Sequence, residues 1–101
     1  MKILLANRGK GKTTELIKLS NKEWKYIICS TKNRADHIIK MANKMNLDIP
    51  YPITPRELPI RSPYIKEVLV DDFEDLLIYL VGKPISIATT SCEIIDINKC
   101  R

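Results

Sequence analysis

Apolar and polar residues alternate along the chain in a pattern that predicts short strands separated by helices. Short, mainly apolar runs at residues 3–6, 26–29, 67–70 and 85–90 predict strands, and the continuous run at residues 26–29 is typical of a strand covered on both faces. Between these runs, apolar residues recur at helical spacing over residues 13–20, 33–46 and 73–81. Strands that alternate with helices favour right-handed crossovers and parallel pairing. We therefore predict an α/β fold of three layers, with helices on both faces of a mainly parallel four- to five-stranded sheet.

A proline-rich segment, residues 47–64, interrupts this alternation. Its prolines exclude a long helix or a central strand. Thr54, Pro55 and Glu57 nevertheless carry a capping pattern that predicts a single helical turn. The segment is either a functional loop or a plain connector across the sheet edge.

The end of the chain, residues 93–97, is a further short apolar run. Only Ser91 and Cys92 separate it from the predicted strand at residues 85–90. Because two residues are too few for a parallel crossover, we expect an antiparallel edge strand formed by a hairpin. A terminal turn packed on the edge is the alternative.

Length and composition predict one globular domain spanning residues 1–101. The 101 residues are enough for one layered core, and their apolar content of 45% and charged content of 29% are ordinary for a soluble protein. No apolar run approaches the length of a membrane span. We expect a cytoplasmic protein with no membrane partner.

The cysteines do not predict a metal site, and the net charge does not identify a ligand. The three cysteines and the single histidine lack the spacing of a metal site, so we expect reduced thiols. The net charge of +5 suits an anionic ligand or nucleic acid, but the basic residues are spread along the chain. The polar face of the helix at residues 33–46, which includes Arg34 and His37, is predicted to be solvated.

A glycine-punctuated loop at residues 6–13 is the strongest sign of function. It lies between the first predicted strand and the first predicted helix and ends in Gly11, Lys12 and Thr13. Backbone N–H groups, a helix N-terminus and the Lys12 ammonium would together bind phosphate. Thr13 would place its hydroxyl on a phosphate-bound magnesium ion. The alternative is a lysine-rich turn before a surface helix.

Two acidic residues, Asp71 and Asp72, directly follow the predicted strand at residues 67–70. The carboxyl ends of parallel strands meet at one edge of a sheet, where ligands bind. Mg²⁺ prefers oxygen ligands and keeps several waters, so Thr13 would hold it directly and Asp71 through a water. Asp72 is also placed to cap the helix that follows, a role that is compatible with a second role at this edge.

The glycine loop resembles the Walker A motif of P-loop NTPases, a family that tolerates an alanine such as Ala6 at the first position. Asp71 and Asp72 resemble the Walker B motif of the additional-strand branch. The resemblance covers residues 2–90 and implies a minimal P-loop NTPase fold with Mg²⁺ as cofactor and ATP or another nucleoside triphosphate as ligand. It implies catalytic roles for Lys12 and Asp72, the latter orienting the attacking water.

In that branch a polar residue at the end of the following strand senses the terminal phosphate. Thr89 or Thr90 matches this position, with an ordinary strand-end residue as the alternative. The nucleotide-binding residues expected on this basis are Asn7, Arg8, Gly9, Lys10, Gly11, Lys12, Thr13, Thr14, Thr89 and Thr90.

Residues 7–17 and 47–54 also resemble a group of very short phage-encoded P-loop proteins, described as ATP-binding. This resemblance implies nucleotide binding in the host cytoplasm without a defined cellular task. No helical lid follows the predicted sheet. Arg56 and Arg61 are either solvated charges or arginines that reach a neighbour's site in a homo-oligomer, and a protein partner is another source of such an arginine.

Three functions are consistent with these features. The first is magnesium-dependent nucleoside triphosphate binding with weak or partner-stimulated hydrolysis. The second is a non-enzymatic protein that binds or sequesters a nucleotide or inhibits a host factor. The third is an accessory ATPase acting with DNA, which rests on the net charge of +5.

Overall fold

The fold is mixed α/β, and its elements follow the predicted alternation. The computed structural model describes residues 1–7 and 11–97. In chain order the elements are β1 (Lys2–Leu5), α1 (Lys12–Glu23), β2 (Ile27–Ile28), α2 (Lys32–Lys44), a 3₁₀ turn (Pro55–Glu57), β3 (Leu69–Val70), α3 (Phe73–Val81) and β4 (Glu93–Asp96).

Strand pairing in the described ranges is parallel, as predicted, but it does not build one sheet. β1 pairs with β4, and β2 pairs with β3, giving two sheets of two strands each. The predicted strand at residues 85–90 does not form. Ile87 in this segment is 83% exposed, so the run lacks the burial that a strand covered on both faces requires. Within residues 1–7 and 11–97 the structure thus shows two small parallel sheets rather than four or five strands in one.

The C-terminal strand corrects the prediction of an antiparallel hairpin. β4 runs parallel to β1, with Lys2 opposite Glu93 and Leu5 opposite Asp96. The Ile97 N–H extends the ladder by donating to the Leu5 carbonyl at 2.9 Å. A parallel partner is sterically accessible because residues 82–92, none of them in a strand, all serve as the connection from α3.

The hydrophobic core lies between α1, α2 and the β2–β3 pair. The predicted apolar face of α2 is confirmed, since Ala35, Ile38 and Ala42 are buried. They pack with Ile17 of α1 and Ile27 of β2, both with no exposed surface. This core fixes the N-terminus of α1 and the end of β3 relative to each other.

Helix α1 is longer than its predicted span of residues 13–20. It continues through Asn21 and Lys22 to Glu23, and the next residue, Trp24, has a left-handed backbone with φ 53°. The buried Ser20 hydroxyl donates to the Lys25 carbonyl at 2.6 Å. This local hydrogen bond stabilises the turn in which the helix ends.

The proline-rich segment lies along the edge of β2 that is opposite to β3. The Ile53 N–H donates to the Ile27 carbonyl at 2.8 Å, and the Cys29 N–H donates to the Ile53 carbonyl at 2.9 Å. The predicted helical turn is confirmed as the 3₁₀ turn, where the Glu57 carboxylate accepts the Thr54 N–H at 2.8 Å. The segment extends the hydrogen-bonded surface of β2 by one residue on that edge.

Helix α3 carries most of its apolar side chains on the surface. It begins after Asp72 and ends at Val81, and the next residue, Gly82, has a left-handed backbone with φ 81°. Its exposed large residues are Phe73, Leu77, Ile78, Tyr79, Leu80 and Val81. Across residues 1–7 and 11–97, every helix is too short or too polar to cross a membrane.

Candidate functional site

The first turn of α1 opens onto a surface cleft. Gly11 precedes the helix in a left-handed conformation, φ 82°, which costs glycine little because it has no Cβ. Gly11 has no side chain with which to cap the first-turn N–H groups. The helix therefore presents its partial positive charge to the cleft next to Lys12.

Thr13 and Asp71 form the buried centre of the site. They are 58 positions apart in the chain, and the Thr13 Oγ1 donates to the Asp71 Oδ1 at 3.1 Å. Their exposed fractions are 8% and 2%. The Asp71 N–H donates to the Ile28 carbonyl at 2.9 Å, which fixes the carboxylate at the end of β3. The predicted meeting of Thr13 and Asp71 is confirmed, but not at the edge of one sheet, because β1 and β3 belong to different strand pairs.

Lys12 and Asp72 form an ion pair next to this centre. The Lys12 Nζ lies 2.5 Å from the Asp72 Oδ1. The hydrogen bond to Asp72 is the main reason why the pKa of Lys12 is raised above its usual value of 10.5. Lys12 is therefore a full positive charge at neutral pH.

Asp72 occupies the N-cap position of α3 without capping it. Its backbone is left-handed, φ 49°, and its side chain makes no capping hydrogen bond. Aspartate tolerates this backbone conformation better than most residues. The side chain instead pairs with Lys12, so capping does not account for this carboxylate.

Arg34, which the sequence placed on a solvated face, belongs to the site. Its Nε donates to the Asp71 Oδ2 at 2.9 Å and its Nη2 donates to the Thr13 Oγ1 at 2.8 Å. The same nitrogen lies 3.8 Å from the Asp72 Oδ2. The guanidinium thus provides the counter-charge to the buried Asp71 carboxylate.

A signal for this role was present in the sequence. Arg34 lies four residues before the buried Ile38, and residues at this spacing lie on the same face of a helix. The backbone N–H of Arg34 donates to the Thr31 hydroxyl at 3.1 Å, so Thr31 is the N-cap of α2 and fixes its first turn. The prediction of a solvated face is wrong for Arg34 and holds for the exposed His37.

The cleft has a volume of about 570 Å³, within the usual range for small-molecule sites. It combines the cationic groups of Lys12 and Arg34 with acidic groups on α3. The described residues that line it are Gly11, Lys12, Thr13, Thr14, Arg34, His37, Met41, Asp72, Glu74 and Asp75. His37, Met41, Glu74 and Asp75 were not predicted as site residues.

Of the remaining predicted ligand residues that the structure describes, none lines this cleft. Arg8, Gly9 and Lys10 lie outside the described residues, and Asn7 is exposed after β1. Thr89 and Thr90 are exposed in the segment that joins α3 to β4, and neither lines the cleft as far as the chain is described. The Thr90 hydroxyl instead accepts the Cys92 N–H at 3.1 Å. Their role as phosphate sensors stays a prediction.

A magnesium ion at the centre would be held by Thr13 and Asp71. Their hydroxyl and carboxylate are adjacent oxygen groups of the type that Mg²⁺ prefers, and both also accept hydrogen bonds from Arg34. In residues 1–7 and 11–97 no group of three or more His, Cys, Asp or Glu side chains is placed to hold a metal. An ion bound here would take its remaining ligands from water and phosphate, as is usual for Mg²⁺.

The other predicted chemistry lies apart from the cleft. Cys29 and Cys92 are free thiols, and burial raises the pKa of Cys29; Cys100 lies outside the described residues. Arg56 and Arg61 are both exposed on the proline-rich segment. Arg61 lines a separate groove of about 370 Å³ with Tyr26 and Tyr51.

Comparison of the chain with protein-family models, with curated proteins and with solved structures finds no match. A proposal about function therefore depends on the residues of the cleft and on the motif resemblance alone.

Proposed function

We propose that this chain binds a nucleoside triphosphate together with Mg²⁺ in the cleft at the N-terminus of α1. One observation carries the proposal. Two segments that are distant in sequence bring Lys12 and Thr13 into contact with Asp72 and Asp71. A lysine, a hydroxyl and two carboxylates at an open helix N-terminus are what phosphate binding with a magnesium ion requires.

Each group has a distinct part in this proposal. The ammonium of Lys12 and the first-turn N–H groups of α1 bind phosphate oxygens. Thr13 and Asp71 hold the ion, which when bound neutralises phosphate charge. Because Lys12 is paired with Asp72, phosphate must replace or share that contact.

We extend the proposal to a minimal P-loop fold of three layers and to a cytoplasmic location. Support for the fold comes from the two parallel strand pairs and from the position of each helix after a strand. Weak or partner-stimulated hydrolysis is part of the same proposal, with Asp72 orienting the attacking water.

A non-enzymatic nucleotide-binding protein is the second candidate, and the Lys12–Asp72 pair favours it. A carboxylate held 2.5 Å from an ammonium is less available to orient a water. Under this candidate the chain retains nucleotide without turnover, whereas phosphate release over many turnovers supports the first. Both candidates share the same binding site.

Thermal unfolding of the unmutated chain tests the shared binding claim. Mg·ATP at one hundred times its Kd should stabilise the fold by about 2.7 kcal/mol. In a domain of this size that corresponds to a rise in Tm of roughly 10 °C or more. Mg²⁺ alone, at the same ionic strength, is the control. An unchanged Tm at millimolar Mg·ATP would refute the proposal.

A further inference from the structure

We propose that Arg34 and Mg²⁺ compete for the same two side chains, Thr13 and Asp71, so that metal binding is coupled to release of the arginine into the cleft. This inference rests on the proposed function and concerns the regulation of the same site. It assigns a role to Arg34, a residue outside the two motifs that resemble Walker A and Walker B.

The hydrogen bonds at the centre leave little room for a second cation. The Asp71 Oδ1 accepts the Thr13 hydroxyl, and its Oδ2 accepts the Arg34 Nε. The Thr13 Oγ1, which would ligate the ion directly, also accepts the Arg34 Nη2 at 2.8 Å. Both oxygens of the carboxylate and the hydroxyl are thus engaged by one guanidinium and by each other.

Electrostatics makes the two cations exclude each other. An ion on the Thr13 hydroxyl would lie within a few ångströms of the guanidinium, in a site where the Asp71 side chain is only 1% exposed. Repulsion between charges that close is weakly screened when water is excluded. One cation must therefore leave when the other binds.

The Arg34 side chain can move into the cleft when it leaves Thr13 and Asp71. Its side chain is 32% exposed and lines the cleft, and its Nη2 is already 3.8 Å from the Asp72 Oδ2. Its backbone is anchored through the Thr31 cap, so a change of side-chain rotamer moves the guanidinium without moving α2. In the cleft it would pair with phosphate oxygens, which arginine binds through its planar fork.

A measurable coupling follows from this exchange. Because Arg34 already supplies positive charge at the centre, Mg²⁺ should strengthen ATP binding less than it would at an otherwise identical site without the arginine. Removing the guanidinium should raise the magnesium dependence of ATP affinity, even if it lowers the affinity itself.

Calorimetric titration of ATP into the unmutated chain and into Arg34→Gln, each in Mg²⁺ and in EDTA, tests the inference. The readout is the association constant of ATP in Mg²⁺ divided by its association constant in EDTA. We expect this ratio to be about tenfold larger in Arg34→Gln, the loss expected for one charge-assisted hydrogen bond. Lys40→Gln, which removes the same charge from an exposed position of α2, should leave the ratio unchanged.

The results distinguish failure of the Arg34–Mg²⁺ competition from failure of nucleotide binding. Equal ratios in Arg34→Gln and the unmutated chain overturn the competition while nucleotide binding stands. No ATP binding to the unmutated chain in either buffer overturns the proposed function and this inference with it. If circular dichroism shows Arg34→Gln unfolded, Arg34→Met carries the same comparison, since it keeps an unbranched apolar stem and removes the positive charge; a ratio equal to that of the unmutated chain then overturns the inference.

Discussion

Asp71 is the residue on which the site depends most. Its side chain is 1% exposed and accepts hydrogen bonds from Thr13 and Arg34, while its own N–H is bonded to β2. A buried carboxylate is stable only when such partners satisfy it. Asp72, by comparison, lies in the cleft wall with its side chain 20% exposed, where its partner Lys12 is also the candidate phosphate ligand.

Replacing Asp72 by Asn separates binding from turnover. Asn tolerates the left-handed backbone at this position and removes the negative charge. Binding of Mg·ATP should be retained, because Lys12 loses a competitor for phosphate. Phosphate release should fall by about a hundredfold, the usual contribution of a positioned base.

The matched control is Asp75→Asn, which removes the same charge from another position on the cleft lining. It should keep the turnover rate of the unmutated chain, measured as inorganic phosphate released over time. If Asp72→Asn hydrolyses ATP at the unmutated rate, Asp72 has no part in catalysis.

At the scale of residues, sequence was sufficient for the contiguous motifs and insufficient for Arg34. Lys12 and Thr13 start a helix, and Asp71 and Asp72 follow a strand, so a parallel α/β topology predicts that they meet, and they do although β1 and β3 belong to different strand pairs. The place of Arg34 depends on how the first turn of α2 sits relative to β3. That relation is tertiary, and helical periodicity indicates the face of α2 but not what it meets.

The helices and strands differ in how far the local sequence predicts them. Helices α1, α2 and α3 have apolar periodicity, and the structure confirms all three with changes of a few residues at their ends. The short runs at residues 85–90 and 93–97 have no such internal pattern. Whether either becomes a strand depends on a distant partner, and β1 pairs with the second run.

The stop of α3 provides a test at this scale. Gly82 has φ 81°, and a Cβ added there would meet no heavy atom within 4 Å. Gly82→Ala should therefore lower the free energy of unfolding by about 1 kcal/mol through backbone strain alone. Gly82→Asn should lose less, since Asn visits this conformation more readily.

Urea unfolding of the three proteins, followed by circular dichroism, measures this effect. The midpoints should fall in the order Gly82, Gly82→Asn, Gly82→Ala at an unchanged m-value. An alanine variant as stable as the unmutated chain would show that the helix does not end in a left-handed residue.

The buried core of the described residues is formed by only part of the fold. The buried cluster lies between α1, α2 and β2, whereas α3 and the β1–β4 pair expose apolar side chains such as Leu80 and Ile94. The radius of gyration of 13.7 Å is close to the roughly 13 Å typical of a domain of about a hundred residues. The α/β class and parallel pairing were predictable from periodicity; the division into two strand pairs was not, because it is decided by which distant runs meet.

We propose that the molecule as a whole binds Mg·ATP in the cleft through Lys12. Calorimetric titration of Mg·ATP into the unmutated chain, Lys12→Ala and Lys18→Ala tests it most directly, because Lys18 is an exposed lysine on the same helix. The unmutated chain and Lys18→Ala should bind one ATP with equal affinity. Lys12→Ala should bind about a hundredfold more weakly, as expected for losing charge-assisted bonds to phosphate. No binding by the unmutated chain, or equal affinity in Lys12→Ala, would contradict the account.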